Sequence, residues 1–237
     1  MILKTVFFDF GNTIIDEKPF VLGAQMGLVH YVRERLNLPD SPESLYEKLR
    51  RTPHLPAGHP LLREPRTRDY DERRLWMMKF AGSCGLPVNE AVGDELLRAY
   101  DDGARRSDCL IGGAKDVLEK LHGRYTLGII SNGYAGFVHA TLAFLNLERF
   151  FETVIISQEV NLDKPDPAIF QLAMRRCRAT PEHAMMVGDS YQADIQGGKS
   201  FGMRTCWINP EKKPPPGRDH DFIIESISQI PGVLDGI

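Results

Sequence analysis

The pattern of apolar and polar positions changes character twice along this chain of 237 residues. It opens on a run of β-formers, Thr5, Val6, Phe7 and Phe8, that ends on Asp9, with Gly11 and Asn12 turning the chain almost at once. From 16 to 106 the period is helical. Leu22, Met26, Val29, Val32 and Leu36 recur at helix spacing over 21–36, and prolines at 39 and 42 break the run. A short helix is predicted over 44–51, then an irregular loop over 52–66, where Pro53, Pro56, Pro60 and Pro65 fall. Two further helices, 69–80 and 88–105, are parted by Gly82 and Gly85, and nothing in the stretch reads as a strand.

Beyond 106 strands and helices alternate. Helix 113–121 closes at His122 and Gly123; strands at 125–130, 153–157, 183–187 and 204–208 are interleaved with helices at 136–145, 168–178 and 193–200. That rhythm predicts an α/β fold, a doubly wound and mainly parallel sheet with helices on both faces. The sheet domain takes 1–15 and 107–237, and 16–106 forms an inserted all-helical domain.

Composition narrows the class without naming the chemistry. A formal net charge of -3 gives no electrostatic case for nucleic acid or an anionic membrane as partner. Cys84, Cys109, Cys177 and Cys206 form no C-x-x-C pair and match neither a zinc site nor a disulfide framework. Residues 1–4 run directly into a core strand, and no apolar stretch has the length of a membrane span. The expectation is a cytoplasmic protein with reduced thiols; oligomeric state is not encoded in any pattern here.

The polar residues at strand ends carry more information. Asp9, Ser131 and Asp189 each follow an apolar strand directly, and Lys164 follows another by a few residues. In a parallel sheet those ends meet at one edge, where ligands bind. A Ser or Asp there is ordinarily a turn or cap residue. Four in this order point instead to one shared cleft.

These motifs resemble those of the haloacid dehalogenase-like hydrolase superfamily over nearly the whole chain. The stretch from Asp9 to Thr13 is similar to its first motif and Ser131-Asn132-Gly133 to its second. Lys164, within Asp163-Lys164-Pro165, is similar to the third, and Gly188-Asp189-Ser190 with Asp194 to the fourth. The helical insert resembles the family's type 1 cap. The resemblance implies a Rossmann-like core and hydrolysis of a small phosphorylated substrate. Asp9 would attack phosphorus and form an aspartyl-phosphate that water then cleaves. Lys164 would pair with the phosphate and the carboxylates, while Ser131, the backbone amide of Asn132 and Gly133 would hold the phosphoryl group. Mg²⁺ would be held by Asp9, the backbone carbonyl of Gly11 and Asp189, with Asp194 acting through water.

Position 11 departs from the pattern. Family phosphatases usually carry a second Asp there, whose carbonyl binds Mg²⁺ and whose side chain protonates the leaving group. Gly11 keeps the carbonyl and deletes the side chain, so acid–base help worth roughly 10²–10⁴-fold must come from elsewhere or be absent. The resemblance therefore implies a Mg²⁺-dependent phosphatase first. Its alternatives are a metal-independent 2-haloacid dehalogenase, a phosphonatase using Lys18, Lys48 or Lys79, and a phosphate- or metal-binding protein without turnover. His54 and His59 read as loop residues, His139 as a helix-surface residue, and Gly112-Gly113 as a hinge and helix start. Arg63, Arg66, Arg68, Arg73 and Arg74 read as a solvated face from which one or two could select an anionic substrate.

Overall fold

The computed structural model describes residues 2–53 and 65–237, with the side chains of 65–72 left aside. His54, His59 and the side chains of Arg63, Arg66 and Arg68 lie outside the described residues, as does most of the expected loop. The chain divides into two compact units, Met1–Glu17 with Leu110–Ile237, and Lys18–Cys109.

In chain order the elements are β1 (Thr5–Phe8), α1 (Glu17–Leu36), α2 (Pro42–Arg50), α3 (Pro65–Ser83), α4 (Glu90–Arg105) and α5 (Ala114–Leu121). They continue with β2 (Thr126–Ser131), α6 (Ala135–Phe144), β3 (Thr153–Ile156), α7 (Ser157–Val160), α8 (Pro167–Cys177) and β4 (Ala184–Gly188). A π-helical turn at Tyr191–Gln196 leads into α9 (Gly197–Ser200), then β5 (Arg204–Ile208), β6 (Phe222–Ile224) and α10 (Ile230–Asp235).

The larger unit is a six-stranded sheet in the order β3-β2-β1-β4-β5-β6, and every pairing is parallel. Such a sheet must be covered on both faces, and β1 and β4 are buried at every position, as their unbroken apolar runs require. Strand order reverses between β1 and β4, the topological switch point where α/β sheets open a crevice.

Three local differences from the sequence expectation stand out. Helix α3 begins at Pro65, inside the expected loop, because proline is compatible with a first helical turn. Ser157 starts a one-turn helix instead of ending β3. Strand β6 has three residues, too few to show a period.

Among the described residues of the smaller unit every element is a helix. There α1 and α4 cross at glycines. A Cβ on Gly27 would lie 2.5 Å from the Ala99 carbonyl oxygen, and one on Gly103 would lie 2.3 Å from that of Gly23. Arg74 ties α3 to α4 by donating to the Glu90 carbonyl (2.7 Å) and to Asp94 (3.0 Å). Arg73 lies over the Tyr100 ring. Lys48 donates to the Ser83 carbonyl and Lys79 to that of Pro53, so both are engaged within this unit. Cys84, Cys109, Cys177 and Cys206 are in no disulfide. No described helix is long and apolar enough to cross a membrane.

Candidate active site

Register alone assembles the site. Phe8 of β1 pairs with Ile129 of β2 on one side and with Val187 of β4 on the other. The chain therefore leaves all three strands at the same edge, with Asp9, Ser131 and Asp189 next to one another in a cleft of about 260 Å³. The Asp9 amide donates to the Val187 carbonyl at 2.8 Å, which fixes its backbone beyond the last strand residue. Gly11, Asn132, Gly133, Lys164 and Asp194 line the same cleft, so every site residue expected from the sequence is brought together. Phe10 and Phe137 form one wall, edge to face at 5.7 Å.

Lys164 is the hub. Its ammonium donates to Asp9 Oδ1 and to Asp194 Oδ1, each at 2.6 Å, with the side chain 1% exposed. A buried ammonium is tolerable only when paired in this way. Asn132 holds the lysine's backbone: its Nδ2 donates to the Lys164 carbonyl and its Oδ1 accepts the Lys164 N–H, both at 2.8 Å. Asp194 sits on the π-helical turn, and its Oδ2 accepts the Ser190 amide at 3.0 Å. Trp207 of β5 donates its indole N–H to the Asp189 carbonyl at 2.9 Å and pins that loop.

The electrostatics are those of crowded acids. Oxygens of Asp9, Asp189 and Asp194 all lie within 4.8 Å of one another, and the Lys164 ammonium pairs with the first and last. Burial, then the Asp9 charge, pushes Asp189 up to about 6. Burial pushes Asp194 up as well; Lys164 pulls it back and Asp9 adds to the rise. Burial disfavours the Lys164 ammonium, but Asp194 and Asp9 outweigh that and hold its pKa above the usual lysine value. A hard divalent cation would relieve this excess, and an all-oxygen donor set suits Mg²⁺. The residues present therefore fit such an ion.

Glu17 is the residue sequence reasoning missed. It is the first residue of α1 and lines the cleft. Its amide donates to Asn12 Oδ1 at 3.3 Å, and its Oε2 accepts from Asn12 Nδ2 at 3.3 Å. Burial, then Asp9, raises its pKa. An acid eight residues after Asp9 reads in sequence as an ordinary helix-start residue, favoured by the helix dipole. His139 by contrast pairs with Glu159 at 2.9 Å on the surface, as a helix histidine would. Gly113, at φ +83°, is the cap of α5.

A family model described as haloacid dehalogenase-like hydrolase matches residues 3–202. Among curated relatives, the HAD-hydrolase YfnB of Bacillus subtilis is 33% identical over 53% of this chain and 54% of its own length. Pyrimidine 5'-nucleotidase YjjG of Escherichia coli is 31% identical over 52% of this chain and 55% of its own. The match thus spans about half the length of each. Glyceraldehyde 3-phosphate phosphatase of Pyrococcus abyssi is 30% identical over 87% of this chain and 81% of its own. A 2-haloacid dehalogenase structure from Pseudomonas syringae superposes with a TM-score of 0.75 at 29% identity, covering 99% of both chains. The magnesium-bound YfnB structure gives 0.66 at 25% identity, covering 99% of this chain and 100% of that one.

Proposed function

This chain belongs to the haloacid dehalogenase-like hydrolase family, and from that premise we propose that it is a Mg²⁺-dependent phosphatase of a small phosphorylated metabolite. The observation that supports this reading most directly is the cluster of Asp9, Asp189 and Asp194 oxygens within 4.8 Å, with Lys164 bonded to the first and last. A carboxylate nucleophile approaching a phosphate dianion meets charge repulsion, so a phosphatase needs cations at that point. Mg²⁺ held by Asp9, the Gly11 carbonyl and Asp189, with Asp194 behind, would supply that neutralisation.

The chain's own residues do the remaining work in this reading. Asp9 attacks phosphorus and becomes an aspartyl-phosphate, which water hydrolyses. Lys164 orients Asp9 through its 2.6 Å hydrogen bond and adds positive charge beside the incoming phosphoryl group. Ser131 and the Asn132 amide stand at the end of β2, beside Asp9, where they can donate to phosphoryl oxygens. Relatives named as a pyrimidine 5'-nucleotidase and a glyceraldehyde 3-phosphate phosphatase support the reading.

A 2-haloacid dehalogenase is the second reading, favoured by the Pseudomonas syringae structure. That chemistry needs no metal, and it leaves Asp189 and Asp194 crowded beside Asp9 without a task. One experiment separates the two: release of phosphate from a metabolite panel, with Mg²⁺ and with EDTA, beside an Asp9→Asn control. The expected result is Mg²⁺-dependent release that the control abolishes. Equal release in EDTA would overturn the metal assignment, and halide release from 2-chloropropionate would establish the dehalogenase.

A further inference from the structure

The cleft contains an acid where the chemistry has a gap. A Cβ built on Gly11 would lie 2.1 Å from Glu17 Oε1 and 2.9 Å from its Cδ. The Glu17 carboxylate therefore fills the volume into which a side chain at position 11 would project. Its backbone stands six positions after Gly11, at the start of α1, and the side chain returns to the cleft.

We propose that Glu17 is the catalytic acid and base of this enzyme, doing from α1 what position 11 cannot. The proposal rests on the phosphatase reading and supplies its missing proton path. Three observations carry it. Glu17 reaches the position-11 volume from outside the strand end. Its oxygens are not part of the metal-competent cluster, which holds Asp9, Asp189 and Asp194, so a proton-transfer role is favoured over ligation. Asn12 grips it on two sides, through Nδ2 to Oε2 and Oδ1 to the Glu17 amide, which orients the carboxyl toward the cleft.

The step balances without any further reactant. Asp9 forms a bond to phosphorus as the bond from phosphorus to the leaving oxygen breaks, and the Glu17 carboxylic acid gives its proton to that oxygen. Glu17 is then a carboxylate. It takes a proton from the water that attacks phosphorus, the bond to Asp9 breaks, and inorganic phosphate leaves with both acids restored.

The test uses phenyl phosphate and p-nitrophenyl phosphate with the full chain and saturating Mg²⁺. Glu17→Gln keeps an amide oxygen for Asn12 and the helix start, so a merely structural role would leave its kinetics unchanged. The expected result is a loss of about 10²-fold or more in kcat/KM for phenyl phosphate, whose leaving group needs the proton, and a much smaller loss for p-nitrophenyl phosphate. Slowed dephosphorylation should also give a burst of one p-nitrophenol per enzyme. Equal losses on both substrates, or none, would overturn the proposal while the phosphatase reading stands. Failure of the unaltered chain on both would overturn the reading itself. Should Glu17→Gln fold poorly, Glu17→Asp serves as the second variant, and recovery of the unaltered leaving-group dependence is expected from it only in part.

Discussion

Asn132 and Lys164 form a closed pair: side-chain amide to backbone carbonyl and backbone amide to side-chain oxygen, each at 2.8 Å. A residue on the β2 loop thereby sets the height of a lysine 32 positions later, whose ammonium then reaches Asp9. Asn132→Ala removes both bonds, each worth about 1 kcal/mol net. Urea denaturation should show a loss of about 2 kcal/mol. Misplacing Lys164 should lower kcat/KM by about 10²-fold. Full activity in this variant would mean that the lysine is held by its own ion pairs.

Lys164 itself lies between two acids, with the Asp194 side chain completely buried. Lys164→Met takes the compensating cation from both, and breaking a buried pair from one side costs about 3–5 kcal/mol. Adding Asp194→Asn should return part of that loss, because the second change removes a charge the first left uncompensated. A double-mutant cycle by chemical denaturation checks this. Strict additivity would count against the pairing.

Much of this arrangement was legible in the sequence, and the remainder was hidden for definite reasons. Apolar runs ending on Asp9, Ser131 and Asp189 gave the parallel sheet and its edge, because a strand's period and its terminal residue are local properties. The Asn132 side chain and Glu17 were invisible. Each acts across the fold, and each has an ordinary local explanation, a turn residue and a helix-start acid. Strand β6, three residues long, carries no period to read. Helix α3 begins within the expected 52–66 loop because proline marks both loops and first helical turns.

Two glycines of the site should behave differently on substitution. A Cβ on Gly188 would lie 2.2 Å from Asp194 Oδ2 and 2.4 Å from its Cγ. Asp194 is fully buried and cannot swing away. Gly188→Ala should therefore cost about 1–3 kcal/mol and displace Asp194 from Lys164. At Gly11 the obstacle is the end of an exposed side chain, so Gly11→Ala should keep stability within about 0.5 kcal/mol. Its effect should fall on turnover instead, most strongly for poor leaving groups, because Glu17 must move. Thermal melts beside the aryl phosphate pair check both.

The helical unit offers a prediction of its own. Gly103→Ala improves helix propensity by about 1 kcal/mol, yet its Cβ would meet backbone, at 2.3 Å from the Gly23 carbonyl oxygen and 2.7 Å from the Gly27 Cα. Backbone atoms of a packed helix cannot rotate aside as a side chain can. Net destabilisation of about 1–3 kcal/mol is expected, and a stabilised Gly103→Ala protein would show that α1 and α4 can separate freely.

Protons and Mg²⁺ should compete for the same carboxylates. Asp189 is pushed from an ordinary 3.8 up to about 6, so across that interval the folded protein binds more protons than the unfolded chain. Stability changes with pH as the protons bound unfolded minus those bound folded, a negative difference here. The metal-free protein should thus lose stability as pH rises from about 4 to about 6, with Asp194 acting in the same direction. Mg²⁺ should reverse this by replacing the lost protons, adding about 2.7 kcal/mol at a hundredfold excess over Kd. The added stability should be larger at pH 7.5 than at pH 5, because ionised carboxylates bind the cation. Thermal melts at both values, with EDTA and with Mg²⁺, give the answer; a Mg²⁺ effect independent of pH would place the ion away from Asp9, Asp189 and Asp194.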